Sequence, residues 1–179
     1  MKVKIDDNWL RLITWTIMDG CLVRRYNKTN NCENIHHLQF KLSKRRKINY
    51  LRGLLIKMKV PFTYRFCKKS GLNKLQPYYI RIYGDSAREC YKYLEGKKEF
   101  PESFLDLTKK QFKIILSMIA ITDGCKSYSK YVWTTTSEKD FRLIATLCSI
   151  HSIKHIIYNH KLSSGFINAR KQYKMGFYI

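Results

Sequence analysis

The sequence predicts an α+β chain built from two similar halves. Two apolar runs with helical spacing each end in the dipeptide Asp-Gly, at Asp19-Gly20 and at Asp123-Gly124. Each run is followed by segments in which apolar and polar residues alternate, and then by a second helical pattern. Diverged copies of one unit keep their element order, so this repetition indicates an internal duplication. We therefore expect two αββαββ-type halves with antiparallel sheets.

The first half begins with a predicted helix that is capped by Asp7 or Asn8 and runs to about Met18, with apolar residues that recur at intervals of three and four. Gly20 is expected to end this helix, because glycine commonly follows the last helical turn. Strands are predicted over 21–26 and 35–42, since an asparagine-rich, turn-forming stretch separates these two segments. The first hairpin thus follows directly from the helix that carries Asp19.

A second helix of this half is predicted over 43–59, with Ser43 as its cap. Alternating residues at 62–66 and 79–83 predict a second hairpin, and 85–95 is typical of a further short helix. A polar stretch follows. It predicts a division into an N-terminal half, a linker and a C-terminal half, with the bounds 1–96, 97–107 and 108–179.

The second half repeats the order of the first. Thr108 is expected to cap a helix that runs to Thr122, and strands are predicted over 125–128 and 131–136. Ser137 with an aspartate three residues on predicts a capping box at the start of the next helix, which runs to about residue 149. The last strands are predicted over 153–159 and 172–179.

The charge of the chain is its most unusual bulk property. There are 35 Lys and Arg residues against 13 Asp and Glu, and the formal net charge is +22. A folded protein tolerates such a charge best beside a polyanion, so nucleic acid is the expected partner. No acidic residue lies between Asn34 and Gly84 or from Phe141 to the last residue. These tracts predict a nucleic-acid-binding surface, the alternative being an ordinary solvated face.

Several other classes of protein are not expected. The six cysteines form no Cys-x-x-Cys pair, so reduced thiols are predicted rather than a zinc ribbon or a thioredoxin-like site. The apolar run near the N-terminus is short and interrupted by charges, which argues against a signal peptide or membrane span. We expect an intracellular, soluble protein, with its compartment left open. Signatures of P-loops, kinases and serine hydrolases are missing from the sequence.

Asp19 and Asp123 are the candidate active-site residues. Between Gly20 and Gly84 the only acidic residue is Glu33, so a carboxylate at Asp19 lies in a strongly basic part of the chain. Binding a hard divalent cation through oxygen would explain such a carboxylate. A single helix that ends in Asp-Gly is an ordinary stop signal. Two equivalent copies in a basic chain favour a functional role instead.

The segments 12–20 and 116–124 resemble the nine-residue motif of the LAGLIDADG homing endonucleases, in the single-chain form that carries two motif copies. The chain departs from the motif at its third residue, where Thr14 and Met118 replace the small residue that the family often has. The resemblance implies two pseudo-symmetric halves packed through the two motif helices. It also implies an antiparallel β-saddle for double-stranded DNA, in a monomer with internal pseudo-twofold symmetry.

The resemblance further implies a site-specific endonuclease that hydrolyses phosphodiesters on both strands of a long DNA target and leaves 3′ overhangs. The cofactor would be Mg²⁺ or Mn²⁺, because metal ions near the scissile phosphates can activate water and stabilise the leaving oxygen. Asp19 and Asp123 would be the catalytic residues and metal ligands, together with the main-chain carbonyls of Met18 and Thr122. The family also places a lysine and a small polar group around the attacking water. Candidates for these two roles are Lys41, Ser43, Thr136 and Lys161.

A two-stranded ribbon fits the major groove of DNA, where the base edges can be distinguished. Side chains on one face of the strands would read bases, and others would contact phosphates. A one-residue shift in register exchanges the two faces, so the sequence does not choose between them. The candidates for DNA contacts are Arg24, Tyr26, Gln39, Lys41, Arg65, Lys68, Tyr79 and Arg81 in the first half and Lys126, Tyr128, Trp133, Lys154, Tyr158, Arg170 and Lys174 in the second.

Three alternatives remain open. A non-cleaving DNA-binding regulator or an intron-RNA maturase could use the same fold, so intron RNA is an alternative partner. Family members that bind without cutting are expected to have lost their acids, and the presence of both acids here favours the enzyme. The third alternative is a nuclease of another class with a metal held by His151, His155 and His160, although their spacing does not place them on one helix face.

Overall fold

The computed structural model describes residues 5–27, 32–67, 77–158 and 172–179. The chain divides into two compact units, Ile5–Lys98 and Glu99–Ile179, called the first and the second unit. Most of the predicted linker 97–107 therefore belongs to the second unit. Phe100 and Phe104 anchor this segment, since both rings are buried and their centroids lie 6.1 Å apart.

The first unit is a four-stranded antiparallel sheet with three helices. Its strands lie in the order β1-β2-β4-β3. The elements in chain order are α1 (Asp7–Asp19), β1 (Gly20–Asn27), β2 (Cys32–Leu42), α2 (Arg45–Lys57), β3 (Phe62–Phe66), β4 (Tyr78–Tyr83) and α3 (Gly84–Tyr93). All of them were predicted, with bounds that differ by a few residues. The predicted cap of α2, Ser43, is wrong, because Lys44 precedes the helix and no side-chain hydrogen bond caps it.

The cap of α1 lies one residue earlier than predicted. Asp6 takes this role, and its carboxylate accepts hydrogen bonds from the N–H groups of Asn8 and Trp9. An aspartate satisfies such N–H groups well, because they have no carbonyl partner within the helix. The middle of α1 is buried, and the indole of Trp15 stacks on Tyr50 of α2 with 5.3 Å between ring centroids.

The sheet of the first unit has two chemically different faces. Leu38, Phe40, Ile80 and Ile82 form the face covered by helices, and each is fully buried. Successive residues of a strand point to opposite faces, so the residues between them form the other face, called the first open face. The pairing of β2 with β4, in which Phe40 lies opposite Ile80, establishes which residues belong to each face.

The second unit has the same strand order, β5-β6-β8-β7, and every pairing is antiparallel. Its elements in chain order are a 3-10 helix (Glu102–Asp106), α4 (Lys109–Thr122), β5 (Cys125–Ser127), β6 (Lys130–Thr135), α5 (Glu138–Ile150), β7 (His155–Tyr158) and β8 (Tyr173–Phe177). Thr108 caps α4 as predicted and forms a reciprocal capping box with Gln111. The α+β class and the repeated order of elements are thus confirmed.

The capping box predicted at the start of α5 is only half formed. Ser137 accepts a hydrogen bond from the N–H of Asp140, as predicted. The carboxylate of Asp140 does not complete the box, because the N–H of Ser137 donates to Thr135 and Asp140 Oδ1 accepts from the N–H of Phe100 at 2.8 Å. Asp140 therefore ties the start of α5 to the segment that precedes α4.

The cysteines in the described part of the chain whose side chains can be assessed are free thiols. Burial raises the pKa of both Cys90 and Cys148 to about 12, so these two thiols stay protonated at neutral pH. Within the described ranges, no helix is both long enough and apolar enough to cross a membrane.

Candidate active site and nucleic-acid interface

Each unit places a carboxylate where its first helix gives way to its first strand. Asp19 is the last residue of α1, and β1 begins at Gly20. Asp123 caps the end of α4, and β5 begins at Cys125. The two candidate acids thus occupy equivalent positions in units of the same topology.

The glycine after each acid is required by a close approach of backbone to backbone. A Cβ atom on Gly20 would lie 2.7 Å from both the Cα and the carbonyl oxygen of Thr16, and one on Gly124 would lie 2.6 Å from the Cα of Ala120. Gly20 has a φ of −85°, so space and not a left-handed conformation excludes larger residues. Each Asp-Gly pair lets the strand leave along the last helical turn, which fixes the position of the acid.

Lys47 holds Asp19 in a partly buried ion pair. Its Nζ atom lies 2.7 Å from Asp19 Oδ2, and the two side chains are only 11% and 17% exposed. Lys47 is the third residue of α2. Sequence reasoning missed it, because it stands in a run of basic residues. A signal was present: Lys47 lies four residues before Leu51 and seven before Leu54, on the buried stripe of that helix.

The second unit has an aspartate where the first has Lys47. Asp140 is the third residue of α5, the helix equivalent to α2. Its side chain is buried and points to the N–H of Phe100, and burial raises the pKa of its carboxyl group above the ordinary value. Asp123, by contrast, is exposed. The two acids therefore have different chemical surroundings.

The donor groups at both helix ends suit a hard divalent cation. Carboxylate and main-chain carbonyl oxygens are the ligands that Mg²⁺ and related ions prefer. The carbonyls of Met18 and Thr122 belong to the last turns of α1 and α4, where carbonyl groups have no N–H partner within the helix. The negative end of the helix dipole also lies there. No cluster of three or more His, Cys, Asp or Glu side chains suited to a metal occurs among the described residues.

The first open face carries most of the polar side chains that were predicted to contact DNA in the first half. In the pairing of β2 with β4, Gln39 lies opposite Arg81 and Lys41 lies opposite Tyr79. On the other side of β4, Arg65 of β3 also lies opposite Tyr79. Arg81 donates a hydrogen bond from Nε to Gln39 Oε1 at 2.8 Å. The charged groups of Arg81 and Lys41 also lie over the ring of Tyr79, at 5.3 and 5.9 Å. The result is a basic surface with an aromatic centre.

The other candidates of the first half are placed differently. Arg24 points to the helix-covered side, where its guanidinium donates to the carbonyl of Gly96 at 2.8 Å and lies 5.9 Å from the ring of Tyr91. Tyr26 lies in β1, and only its backbone is described. Lys68 lies outside the described residues.

The second unit has its own open face, on the side of its sheet that carries Val132 and Gly176. Tyr158 and Lys174 pair across β7 and β8 on this face, as candidates for DNA contacts. The ring of Tyr158 lies 5.3 Å from Lys174 Nζ and 5.2 Å from Lys130 Nζ. Lys154 lies over Tyr178 at 5.1 Å. Lys130 was not predicted, although its two-residue spacing from Val132 in a strand places both on one face.

The structure corrects one candidate of the second half. Trp133 pairs with Met175 on the helix-covered face and is 1% exposed, so it is a core residue and cannot contact DNA. Lys126 pairs with Tyr131, on the same side of the sheet as the core, but is itself exposed. Tyr128 is 95% exposed in the β5–β6 turn. Arg170 lies outside the described residues.

The candidates for the attacking water are only partly placed. Lys41 is exposed on the first open face. Its neighbour Phe40 lies opposite Gly20, the first residue of β1. Lys41 therefore lies near the end of β1 that follows Asp19. Ser43 and Thr136 occupy equivalent connections, before α2 and before α5. Lys161 lies outside the described residues.

The histidines of the rival metal site have separate surroundings. His151 lies at the end of α5, with its ring 5.5 Å from that of Phe112. His155 lies in β7, where Nδ1 is 3.0 Å from the carbonyl oxygen of Ile153. His160 lies outside the described residues.

A second feature that sequence reasoning missed is a histidine pair at a β-bulge. The register of β1 and β2 shifts at Val23, and His36 and His37 lie at this irregularity. The His37 ring is buried, packs 5.1 Å from Tyr83 and 4.9 Å from His36, and its burial lowers its pKa. His37 pairs with Tyr83 on the first open face.

Comparison with families of known sequence gave no matching family model. No curated protein matches the sequence either. The chain does match solved structures of similar fold, although the sequence identities are low.

Structures of the homing endonuclease I-DmoI align with 96% of this chain and 88% of their own, with a TM-score of 0.65 and 11% identity. I-DmoI has been solved in complex with DNA and Mn, and with its target DNA and Mg. Full-length DUF199/WhiA from Thermotoga maritima aligns over 96% of this chain and 50% of its own, with a TM-score of 0.58 and 14% identity. The N-terminal LAGLIDADG domain of WhiA aligns over 97% of this chain and 75% of its own, with a TM-score of 0.55 and 13% identity. The predicted relationship is confirmed at the level of the fold, and the chain has the LAGLIDADG fold.

Proposed function

We propose that this protein is a site-specific DNA endonuclease that hydrolyses both strands of a long duplex with Mg²⁺ or Mn²⁺ and leaves 3′ overhangs. The observation that carries the proposal is the equivalent placement of Asp19 and Asp123. Each acid stands at the end of its helix, fixed by a glycine that tolerates no side chain. Two such acids in a chain with a net charge of +22 fit one carboxylate for each strand of the duplex.

DNA binding is assigned to the open faces of the two sheets. The first open face brings Lys41, Arg65 and Arg81 around Tyr79, and that of the second unit brings Lys130 and Lys174 around Tyr158. Basic side chains contact phosphates and give affinity that falls with salt. Gln39 is suited to reading a base, since an amide can donate to and accept from one base edge. I-DmoI, which shares the fold, has been solved with DNA.

In the proposed reaction, Asp19 and Asp123 would each bind a metal ion through carboxylate oxygens, helped by the carbonyls of Met18 and Thr122 respectively. Bound metal would activate water and stabilise the leaving oxygen of the phosphodiester. Lys47 holds Oδ2 of Asp19 at 2.7 Å, which orients the carboxylate so that Oδ1 is the oxygen available to a cation. If the scissile phosphate binds beside Asp19, the positive charge of Lys47 would also stabilise the negative charge of the transition state.

A protein of this fold that binds DNA without cutting it is the second candidate. The observation that favours it is the same ion pair. A carboxylate that is already neutralised by Lys47 at 2.7 Å has less need of a second cation. This candidate predicts tight binding of one duplex and no cleavage in the presence of either metal.

Cleavage of a pool of random duplexes with Mg²⁺, with and without a chelator, tests the proposal. We expect double-strand breaks that require the metal, and none from Asp19→Asn or Asp123→Asn. Asp85→Asn is the matched control, because it removes the same charge from an exposed residue of α3 that pairs with Arg88 at the surface. Its cleavage should equal that of the wild type.

Double-strand cleavage at the wild-type rate by either active-site variant would refute the role of one acid per strand. Retention of one duplex from the pool without any cleavage would establish the second candidate instead. Sequencing of the broken ends would show the polarity of the overhang and the target site.

A further inference from the structure

Two consecutive histidines point to the same side of the first sheet. Val23 of β1 lies opposite His37, but the next pair along these strands is formed with Ile35, so His36 is the extra residue of a β-bulge. A bulge breaks the alternation of side chains that a regular strand has. The rings of His36 and His37 lie 4.9 Å apart, and they lie 6.0 and 5.1 Å from the ring of Tyr83. Both imidazoles therefore belong to the first open face, and we call the two residues the histidine bulge.

His37 is a buried polar group without a hydrogen-bond partner. It is 7% exposed, and neither of its ring nitrogens has a partner among the described residues. Buried polar atoms without a partner cost free energy and are uncommon in folded proteins, so a bound ligand that completes the hydrogen bonds would explain this one. The neighbouring residues His36 and Tyr83 are exposed. A ligand can thus reach His37 when surface side chains alone move.

The described side chains that face the histidine bulge from the sheet are neutral or positively charged. They are Val23 and Arg25 of β1, Gln39 of β2, Arg65 of β3, and Arg81 and Tyr83 of β4. Burial lowers the pKa of His37, and the charges of His36 and Arg81 lower it further. An anion beside the bulge would oppose this effect, because a nearby negative charge favours the protonated imidazole. The surroundings therefore suit an anion and disfavour a metal cation.

We propose that His36 and His37 form a binding site for a backbone phosphate of a DNA duplex, which they bind in their protonated form. A protonated imidazole has an N–H donor at each ring nitrogen, so both residues can donate to phosphate oxygens. The protein would then take up protons when it binds the duplex. Because such linkage is reciprocal, acidification should strengthen binding of the duplex. This site rests on the proposed function, since it needs DNA on the first open face, but it does not depend on cleavage.

Binding of a rhodamine-labelled 16-base-pair duplex at pH 8.0 and pH 6.0, followed by anisotropy at constant ionic strength without divalent metal, tests the site. We expect the wild type to bind about tenfold more tightly at pH 6.0. His36→Gln and His37→Phe should each lower this ratio to about threefold, and the double variant should bind with nearly equal affinity at both pH values. Imidazoles are largely neutral at pH 8.0, so there each variant should bind as the wild type does.

His155→Gln is the matched control. His155 lies opposite the buried Phe177, on the helix-covered face of the second unit, so its replacement should leave the ratio unchanged. Circular dichroism at both pH values checks that each variant is folded. His36→Gln changes an exposed side chain, so it decides the test alone if His37→Phe does not fold at pH 6.0.

Calorimetric titration of the protein with the same duplex at pH 6.5, in buffers of different ionisation enthalpy, counts the protons directly. We expect the wild type to take up on the order of one proton per bound protein, and the double variant to take up fewer. A wild-type ratio of affinities in the double variant, or loss of the ratio in His155→Gln, would overturn the site and leave the proposed function standing. Failure of the wild type to bind the duplex at either pH would refute both.

Discussion

Lys47 and Asp140 occupy the same position in the two units and carry opposite charges. Each is the third residue of the helix that follows the second strand of its unit. Lys47 forms a 2.7 Å ion pair with Asp19, whereas Asp140 accepts a hydrogen bond from the N–H of Phe100. The two units thus share the position of their candidate acids but differ at this position of the following helix, so Lys47 has no counterpart of the same charge there.

Replacing Lys47 should slow the cutting of one strand more than the cutting of the other. Lys47→Met removes the positive charge that pairs with Asp19 in the first unit. We expect the affected strand to be cut about 100-fold more slowly, the cost typical of losing one stabilising group in the transition state. A supercoiled plasmid that carries the target should therefore accumulate as nicked circles, which a time course on agarose gels would quantify.

Arg46→Met is the control for Lys47→Met, because it removes the same charge from the exposed neighbouring residue of α2. Lys47→Arg should restore part of the rate, since a guanidinium can also pair with a carboxylate. Equal slowing of both strands by Lys47→Met would show that Lys47 serves the whole site and not the half that contains Asp19.

Adding a methyl group at either motif glycine should destabilise the protein. In Gly20→Ala the new Cβ would meet the backbone of Thr16 at 2.7 Å, and in Gly124→Ala that of Ala120 at 2.6 Å. Backbone cannot move aside as a flexible side chain can, so we expect each substitution to lower the free energy of unfolding by about 1–3 kcal/mol. Urea unfolding followed by circular dichroism measures this loss.

Gly53→Ala is a matched control for the motif glycines. Gly53 lies within α2, and a Cβ there would have nothing within 4 Å. Alanine favours the helix over glycine, so this substitution should stabilise the protein by about 0.5–1 kcal/mol. A similar increase in the free energy of unfolding for Gly20→Ala would mean that the backbone of Thr16 lies farther from residue 20 than the structure shows.

The order of elements could be predicted because each helix and strand has its own periodicity. The apolar residues of α1, α2, α4 and α5 recur at helical spacing, and most of them are buried. The candidate acids were selected for the same local reason, since each one ends an apolar run; their role stays a prediction. Information of this kind is contained in a short stretch of chain.

Features that depend on tertiary contacts could not be predicted with the same success. Asp140 was assigned to a capping box, but its carboxylate instead accepts a hydrogen bond from the N–H of Phe100, which is distant in sequence. Trp133 was assigned to the DNA face because period-two alternation does not tell which side of a strand faces the core. Lys47 was overlooked because a partly buried lysine has meaning only once its partner, Asp19, is known.

Acidification should weaken the first unit through His37. Burial is the main cause that lowers the pKa of this ring, and the charges of His36 and Arg81 lower it further. The folded state thus favours neutral His37, so its contribution to stability is complete above the ordinary value of 6.5 and is lost as the pH falls from there toward the lowered value. We expect amide exchange in β2 to quicken between pH 7.5 and 5, after correction for the intrinsic exchange rate.

His37→Phe tests this assignment, because it keeps a ring against Tyr83 and removes the titrating group. The corrected exchange rates of β2 should then lose most of their dependence on pH. His36→Phe alters the exposed neighbour and should keep the dependence of the wild type. An unchanged pH profile in His37→Phe would assign the effect to another group.

Two substitutions of Asp140 should have opposite effects on stability. Asp140→Asn keeps an oxygen for the N–H of Phe100 and removes a charge that burial disfavours, so at pH 7 the protein should be as stable as the wild type or more stable. Asp140→Ala leaves the N–H of Phe100 buried without a partner, which should cost about 1–3 kcal/mol of folding stability.

Burial raises the pKa of Asp140 above its ordinary value of 3.8, so the folded state favours the protonated carboxyl group. The wild type should therefore gain stability relative to Asp140→Asn as the pH falls from neutral toward 3.8, and urea unfolding at a series of pH values would measure this gain. A wild type that loses stability relative to Asp140→Asn on acidification would show that the ionised carboxylate is the form that the fold favours.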